Sequence, residues 1–290
     1  MDILEQFIKT DDLTHRHISE IKACYRSLDD IAPDHYRQVA AYLVWHWGIH
    51  DIRCAGIGGG QGAGKSTLAK LLEEAGRFYG KRVVALSIDD FYYTKSQRRV
   101  LSSEIHSLLE TRGPPGTHDV EALITSVENL LLIGDVPVPV FDKGLDDRTG
   151  ERLIRGRVQH VVVEGWCVGA TAVPSDTLKQ PINNLELTRD QKGIWRSYVN
   201  EALSTRYSRL NSQIAQQIFL KVPSMDAVKR WRLDQERERP FGQRMTKDQV
   251  SHFVDHYERV TQEMLRVLPH TADLVIDLDP EHCIANISRN

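Results

Sequence analysis

Five short apolar runs limit what this chain can fold into. They are "IRCAGIGG" at 52–59, "RVVALSI" at 82–88, "VQHVVVEG" at 158–165, "QIFLKV" at 217–222 and "ADLVIDL" at 272–278. Each is rich in Val, Ile and Leu and nearly continuous, not alternating polar with apolar. Strands of that kind are buried on both faces, which means a parallel sheet with helices packed on either side. The expectation is a three-layer α/β fold around a five-stranded, mainly parallel sheet. Upstream, "ISEIKACYRSLDDI" and "YRQVAAYLVWHWGI" place apolar residues three and four apart, so residues 1–50 read as a helical segment packed on the core. The remainder, 51–290, reads as the main domain. Within it, "RGPPGTHD" and "VPVPVFDKGLDDRTGERL" are rich in Pro and Gly, and 91–157 is expected to be ordered loops around a short helix. The polar stretch 171–215 reads as a helical insertion against the sheet.

Composition excludes several classes. The 290 residues are 41% hydrophobic and 27% charged, ordinary for a globular protein, and the net charge is −3. There is no basic field for nucleic acid or an anionic membrane. No apolar run approaches the ~18 residues of a spanning helix. The first residues, "MDILEQFIKTDD", carry acids where a secretory leader would be basic, so no leader is expected. Cys24, Cys54, Cys167 and Cys283 form no CxxC pair, which fits reduced thiols in the cytoplasm better than disulfides or a zinc site. Two histidines in "HRH" at 15–17 lack a third ligand, and "WHW" at 45–47 reads as helix packing.

The first apolar run leads straight into "GGQGAGKS" at 59–66, which matches G-x-x-x-x-G-K-[ST], and then into the helical "STLAKLLEEAG". Glycines let backbone N–H groups turn inward around phosphate oxygens, and the helix start adds its dipole and free donors. Gly59, Gly60, Gln61, Gly62, Ala63, Gly64, Lys65, Ser66 and Thr67 therefore form a candidate cradle for a nucleoside triphosphate. Lys65 reaches the outer phosphates and the Ser66 hydroxyl ligates Mg²⁺. The cradle alone does not choose between kinase, motor and switch.

Two further runs end in acid: "SIDDFYYT" in Asp89 and Asp90, and "VVVEGW" in Glu164. Ligands of open α/β sheets lie beyond the carboxyl ends of the strands. A carboxylate there can accept a hydroxyl proton or hold the Mg²⁺ shell. Adjacent side chains of an extended strand face opposite ways, so both aspartates cannot address one hydroxyl unless the chain bends.

"GGQGAGKST", "SIDDFY", "RGPPGTHD", "VPVFDK", "VVVEGW", "WRLDQE" and "RMTKDQVSHFVDHY" occur here in the order that resembles the D-glycerate 3-kinase family. These are P-loop kinases near uridine kinase, phosphoribulokinase and pantothenate kinase, and the resemblance spans roughly residues 50–280. It implies ATP-dependent phosphorylation of D-glycerate to 3-phosphoglycerate, with Mg²⁺. It implies Asp89 as the base, followed by Phe91 and Tyr92, and Asp90 in a Mg²⁺-shell or loop-orienting role. Glu164 matches the acid after the Walker B-type strand, which implies a Mg²⁺ role, water-mediated rather than direct.

A small anionic substrate needs fixed donors. Tyr92, Arg112, His118 and Lys143 are the candidates, with Thr117, Asp119 and Asp142 beside them, on a loop stiffened by Pro114 and Pro115. His118 can equally brace that loop. "VKRWRLDQERER" at 228–239 is a charged helix with Arg230, Asp234 and Arg237 on one face and Arg232, Glu236 and Arg239 on another. The resemblance implies a lid whose Arg230 or Arg232 contacts the transferring phosphoryl group. The helix after it, with Thr246 as N-cap and Val250, Phe253, Val254 and Tyr257 as its stripe, reads as packing. Trp195 and Tyr198 read as core. Other readings stay open: a kinase of the same fold acting on a nucleoside or pantothenate, or an ATP-binding regulatory protein. Sequence does not show the oligomeric state or the adenine pocket.

Overall fold

A computed structural model describes residues 4–7, 13–237 and 244–290. The chain opens with helices α1 (His15–Ser27) and α2 (Asp34–His50), then alternates strand and helix: β1 (Cys54–Gly59), α3 (Lys65–Phe78), β2 (Val83–Ser87). Next come α4 (Lys95–Glu104), α5 (Val120–Leu132), β3 (Val136–Asp142), β4 (Asp147–Ile154) and β5 (His160–Glu164). Helices α6 (Asn184–Arg189), α7 (Ile194–Ala202) and α8 (Ser208–Gln213) follow, with a π turn at Leu203–Tyr207 between the last two. The chain ends β6 (Gln216–Lys221), α9 (Met225–Arg237), α10 (Lys247–Thr271), β7 (Leu274–Leu278) and β8 (Ile284–Arg289).

The main sheet has six strands in the order β2-β5-β1-β6-β7-β8. The five apolar runs form its parallel strands, and β8 closes the edge antiparallel to β7. The expectation of five strands is thus short by one. The missed strand, "IANISR", is half exposed and carries few apolar residues, as suits an edge.

Burial on both faces is visible residue by residue. In β5, Val161 and Val163 join one core while Val162 joins the other, all of them buried. In β6, Phe219 faces the first core and Ile218 and Leu220 the second. Leu123 and Val127 of α5 and Met264 of α10 cover the first face. The second is covered by α1, α2 and α3 through Ile21, Leu43, Leu68 and Leu71, so the N-terminal helices share the core of the sheet. Each fully buried side chain of this size contributes about 1.5–3 kcal/mol. Trp47 is fully buried, with its Nε1 donating to Gln216 Oε1 at 2.6 Å. Trp195 is core as expected; Tyr198 packs against the core only partly buried. No helix among the described residues is long and apolar enough to cross a membrane.

The stretch 91–157 differs from expectation. It holds two full helices, α4 and α5, and an antiparallel hairpin of β3 and β4. Pro137 and Pro139 lie within β3 itself. A two-stranded ladder leaves each strand one open edge, where a missing N–H costs nothing, so the prolines do not break it. Asp142 closes the hairpin turn by accepting from the backbone N–H of Gly144 at 2.7 Å and Leu145 at 3.0 Å.

Candidate active site

The carboxyl ends of β1, β2 and β5 open into a cleft of about 230 Å³. The phosphate loop forms one wall. Gly64, at φ 84°, caps α3 with no side-chain hydrogen bond, leaving the first-turn N–H groups of the helix free to meet an anion. Gly62, at φ 79°, also holds a left-handed backbone, and a Cβ there would press on Trp231. Lys65 is buried and donates to the carbonyls of Gly59 and Gly60, both at 2.9 Å. Burial pulls its ammonium below the ordinary lysine value, against the opposing pull of Glu164 and Asp89. The Ser66 hydroxyl donates to Glu164 Oε1 at 2.9 Å. That contact follows from register: Ile57 of β1 and Ser87 of β2 flank Glu164, so the last residue of β5 faces the first turn of α3. Ser66 and Glu164 together present hard oxygen ligands of the kind a divalent cation takes.

"SIDDFYYT" does bend. The strand stops at Ser87, and Ile88–Phe91 form a 3₁₀ turn with Ile88 and Phe91 buried as its inner corners. At three residues per turn, Asp89 and Asp90 point about 120° apart. Asp89 enters the cleft, where its Oδ1 accepts from Tyr92 Oη at 2.9 Å and its Oδ2 from Lys143 Nζ at 2.7 Å. Burial pushes its carboxyl up, but the Lys143 ammonium, helped by the Tyr92 hydroxyl, outweighs it and holds it below the ordinary aspartate value. Asp90 turns the other way. Its carboxylate meets the Phe141 N–H of β3, and burial holds its pKa up. Asp90 is therefore not brought to Ser66 and Glu164, and its metal assignment gives way to a hairpin anchor.

The candidate substrate residues separate in the same way. Tyr92, Arg112 and Lys143 line the cleft. His118 does not: it is fully buried, stacked at 4.3 Å beneath Tyr92, with Nδ1 2.5 Å from Tyr207 Oη. Burial lowers its pKa to about 4, so it is a neutral brace with no charge for a substrate anion. Thr117, Asp119 and Asp142 use their side chains within the loops: Thr117 donates to Pro114 O, and Asp119 caps α5 and pairs with Arg148. On α9, Arg232 faces the cleft, paired with Glu236 at 2.5 Å. Arg230 instead donates to Pro280 O at 3.2 Å, away from it, so of the two arginines Arg232 is the one that lines the cleft. Arg239 lies outside the described residues.

Several site residues were not foreseen. Phe253 and Tyr257 of α10 line the cleft, so that helix is a wall of the site as well as packing. Tyr257 Oη donates to Arg112 O at 3.3 Å, and Trp166 Nε1 to Gly113 O at 3.0 Å, which fixes the loop that carries Arg112. The helical insertion grips the next turn of that loop: the Gly116 N–H donates to Tyr207 Oη, and Tyr198 Oη donates to Gly116 O, each at 3.2 Å. Asp146, at the hairpin tip, pairs with Arg112 and with the fully buried Arg98. The only local signal was the aromatic residues at helical spacing; the long-range partners left none.

No family model matches the chain. It is 31% identical over 218 residues to the probable ATP-dependent kinase TDA10 of Saccharomyces cerevisiae, covering 69% of this chain and 73% of that one. To the chloroplastic D-glycerate 3-kinase of Arabidopsis thaliana it is 28% identical over 249 residues, covering 78% of this chain and 52% of the plant protein. The structure of the D-glycerate 3-kinase from Cryptococcus neoformans var. grubii has the same fold, with a TM-score of 0.75 at 23% identity over 89% of this chain and all of that one. Fold and site together define a P-loop kinase, a phosphotransferase acting on an alcohol group. The chain belongs to the D-glycerate 3-kinase-type family of these kinases.

Proposed function

We propose that the chain transfers the γ-phosphoryl group of ATP to a hydroxyl of D-glycerate, giving 3-phosphoglycerate. The observation that carries this reading is Asp89 in the same cleft as the phosphate loop, with Lys143 and Arg112 beside it. The two cations suit a carboxylate, Arg112 by its planar fork and Lys143 as a point charge. The plant relative's name adds support for this acceptor. Asp89 takes the hydroxyl proton as the new O–P bond forms, and the bond from the γ-phosphorus to its bridging oxygen breaks to leave ADP. Lys65 and Arg232 stabilise the charge on the transferring group. Ser66 and Glu164 fit Mg²⁺, which supplies neutralisation of the phosphate oxygens when bound. Cys24, Cys54 and Cys167 are buried and unbridged, which supports a reducing compartment such as the cytoplasm.

Purified protein given MgATP and D-glycerate should release 3-phosphoglycerate, detected by coupled assay or mass spectrometry. Asp89→Asn should lower kcat by on the order of 10²–10⁴ while ATP binding persists. Retained ATP binding with no phosphorylation of D-glycerate would overturn the acceptor. Turnover of a nucleoside or pantothenate in the same panel would favour that member of the fold.

A further inference from the structure

A second and larger cavity, of about 380 Å³, lies at the opposite end of the sheet. Arg53 precedes β1, Lys81 lies just before β2, and Arg157 and His160 bracket the start of β5; all four line it. Six residues of β1 separate this end from the phosphate loop, roughly 20 Å at strand rise. Arg82 and Arg155 flank the same loops. None of these five cations is paired with a carboxylate among the described residues. The Arg53 guanidinium donates to Leu131 O at 2.7 Å. Two acids lie nearby, Asp51 in the cavity wall and Asp135, which is engaged by the Gly156 N–H.

The chain as a whole has 40 acids for 37 lysines and arginines, whereas the cavity lining sets Arg53, Lys81 and Arg157 against the single acid Asp51. Like charges grouped in a concavity raise the local positive potential and draw an anion to it. The cavity wall has a second unmet requirement. His160 is 4% exposed; its Nδ1 lies 2.7 Å from Ile52 O, while its Nε2 is buried with no hydrogen-bond partner. With Nδ1–H donating to the carbonyl, Nε2 of the neutral ring is an acceptor awaiting a donor. Burial lowers the His160 pKa and so favours that neutral ring.

We propose that this cavity is a second ligand site, remote from the phosphate loop, for a small phosphate monoester that also carries hydroxyl groups. Arg53, Lys81 and Arg157 take the phosphate, and a ligand hydroxyl donates to His160 Nε2. The volume suits a ligand of sugar-phosphate size.

Ribose 5-phosphate and inorganic phosphate are the probes, titrated calorimetrically at constant ionic strength set with chloride. The phosphate loop is first saturated with a non-hydrolysable MgATP analogue, so that it cannot report. Saturable binding should remain, stronger for ribose 5-phosphate than for phosphate. Lys81→Glu and Arg157→Glu should each weaken it at least tenfold, and His160→Phe should abolish the preference for the sugar phosphate. A Lys65→Ala background should leave this binding in place. Loss of all binding once the loop is saturated, or affinities unmoved by Lys81→Glu and Arg157→Glu, would overturn the proposal. Should the charge reversals misfold by circular dichroism, Lys81→Met and Arg157→Met give the same comparison.

Discussion

Asp89 and Asp90 are neighbours in sequence and strangers in space. A single 3₁₀ turn sends one carboxylate to the phosphate loop and the other to the hairpin backbone, so each meets its own partners, although Asp89 still helps to raise the Asp90 pKa. Lys143 is what keeps Asp89 ionised against burial. The sign of its removal follows directly. In Lys143→Met the burial that raises the carboxyl prevails, so Asp89 protonates at higher pH and the base is lost sooner on acidification. The acidic limb of the kcat/KM profile should move to higher pH, and a profile unchanged from wild type would show that Lys143 does not control the base. KM for the acid acceptor should also rise if, as proposed, the same ammonium meets its carboxylate.

The hairpin of β3 and β4 acts as a unit. Its tip delivers Lys143 to Asp89, and Asp146 to both Arg112 and Arg98. Arg148 of β4 rivets it to the strand-end turn by donating to Tyr92 O at 2.6 Å and Phe91 O at 3.1 Å. Asp146→Ala should therefore act twice. Arg98, fully buried, loses its carboxylate and keeps only carbonyl acceptors, a loss of about 2–3 kcal/mol that urea unfolding would measure. Arg112 loses its orientation, so KM for the acceptor should rise about tenfold with a smaller change in KM for ATP. A stability loss without the acceptor effect would separate Arg112 from substrate binding. The hairpin reads as loop in sequence because Pro137, Pro139 and Gly150 punctuate it; its two open edges make those residues tolerable.

At the scale of the whole molecule, buried neutral histidines tie stability to pH. His118 and His256 are both buried, and burial lowers each from 6.5 to about 4. Below 6.5 the unfolded chain takes up protons that the folded chain refuses, so stability is full above about 6.5 and falls as pH drops toward 4. Each site accounts for up to about 3 kcal/mol across that window. Urea midpoints at pH 7 and pH 4.5 should differ accordingly, with a smaller difference in His256→Leu. Equal midpoints would mean that these rings titrate alike in both states.

Much of the protein was written locally. The five parallel strands followed from runs buried on both faces, the phosphate loop from glycine spacing between strand and helix, and the strand-end acids from the direction of parallel strands. These depend on residues within one element, where covalent geometry and burial dictate the outcome. The edge strand, the hairpin and the division of labour between Asp89 and Asp90 did not. Lys143 meets Asp89 across 54 residues, Tyr207 meets His118 across 89, and Tyr257 meets the Arg112 carbonyl across 145. Contacts at such separations leave no period or spacing in the chain, because they are set by how layers stack on the sheet. Packing alone therefore put His118 under Tyr92, turned Arg230 away, and brought Arg232, Lys143 and Arg112 to one cleft.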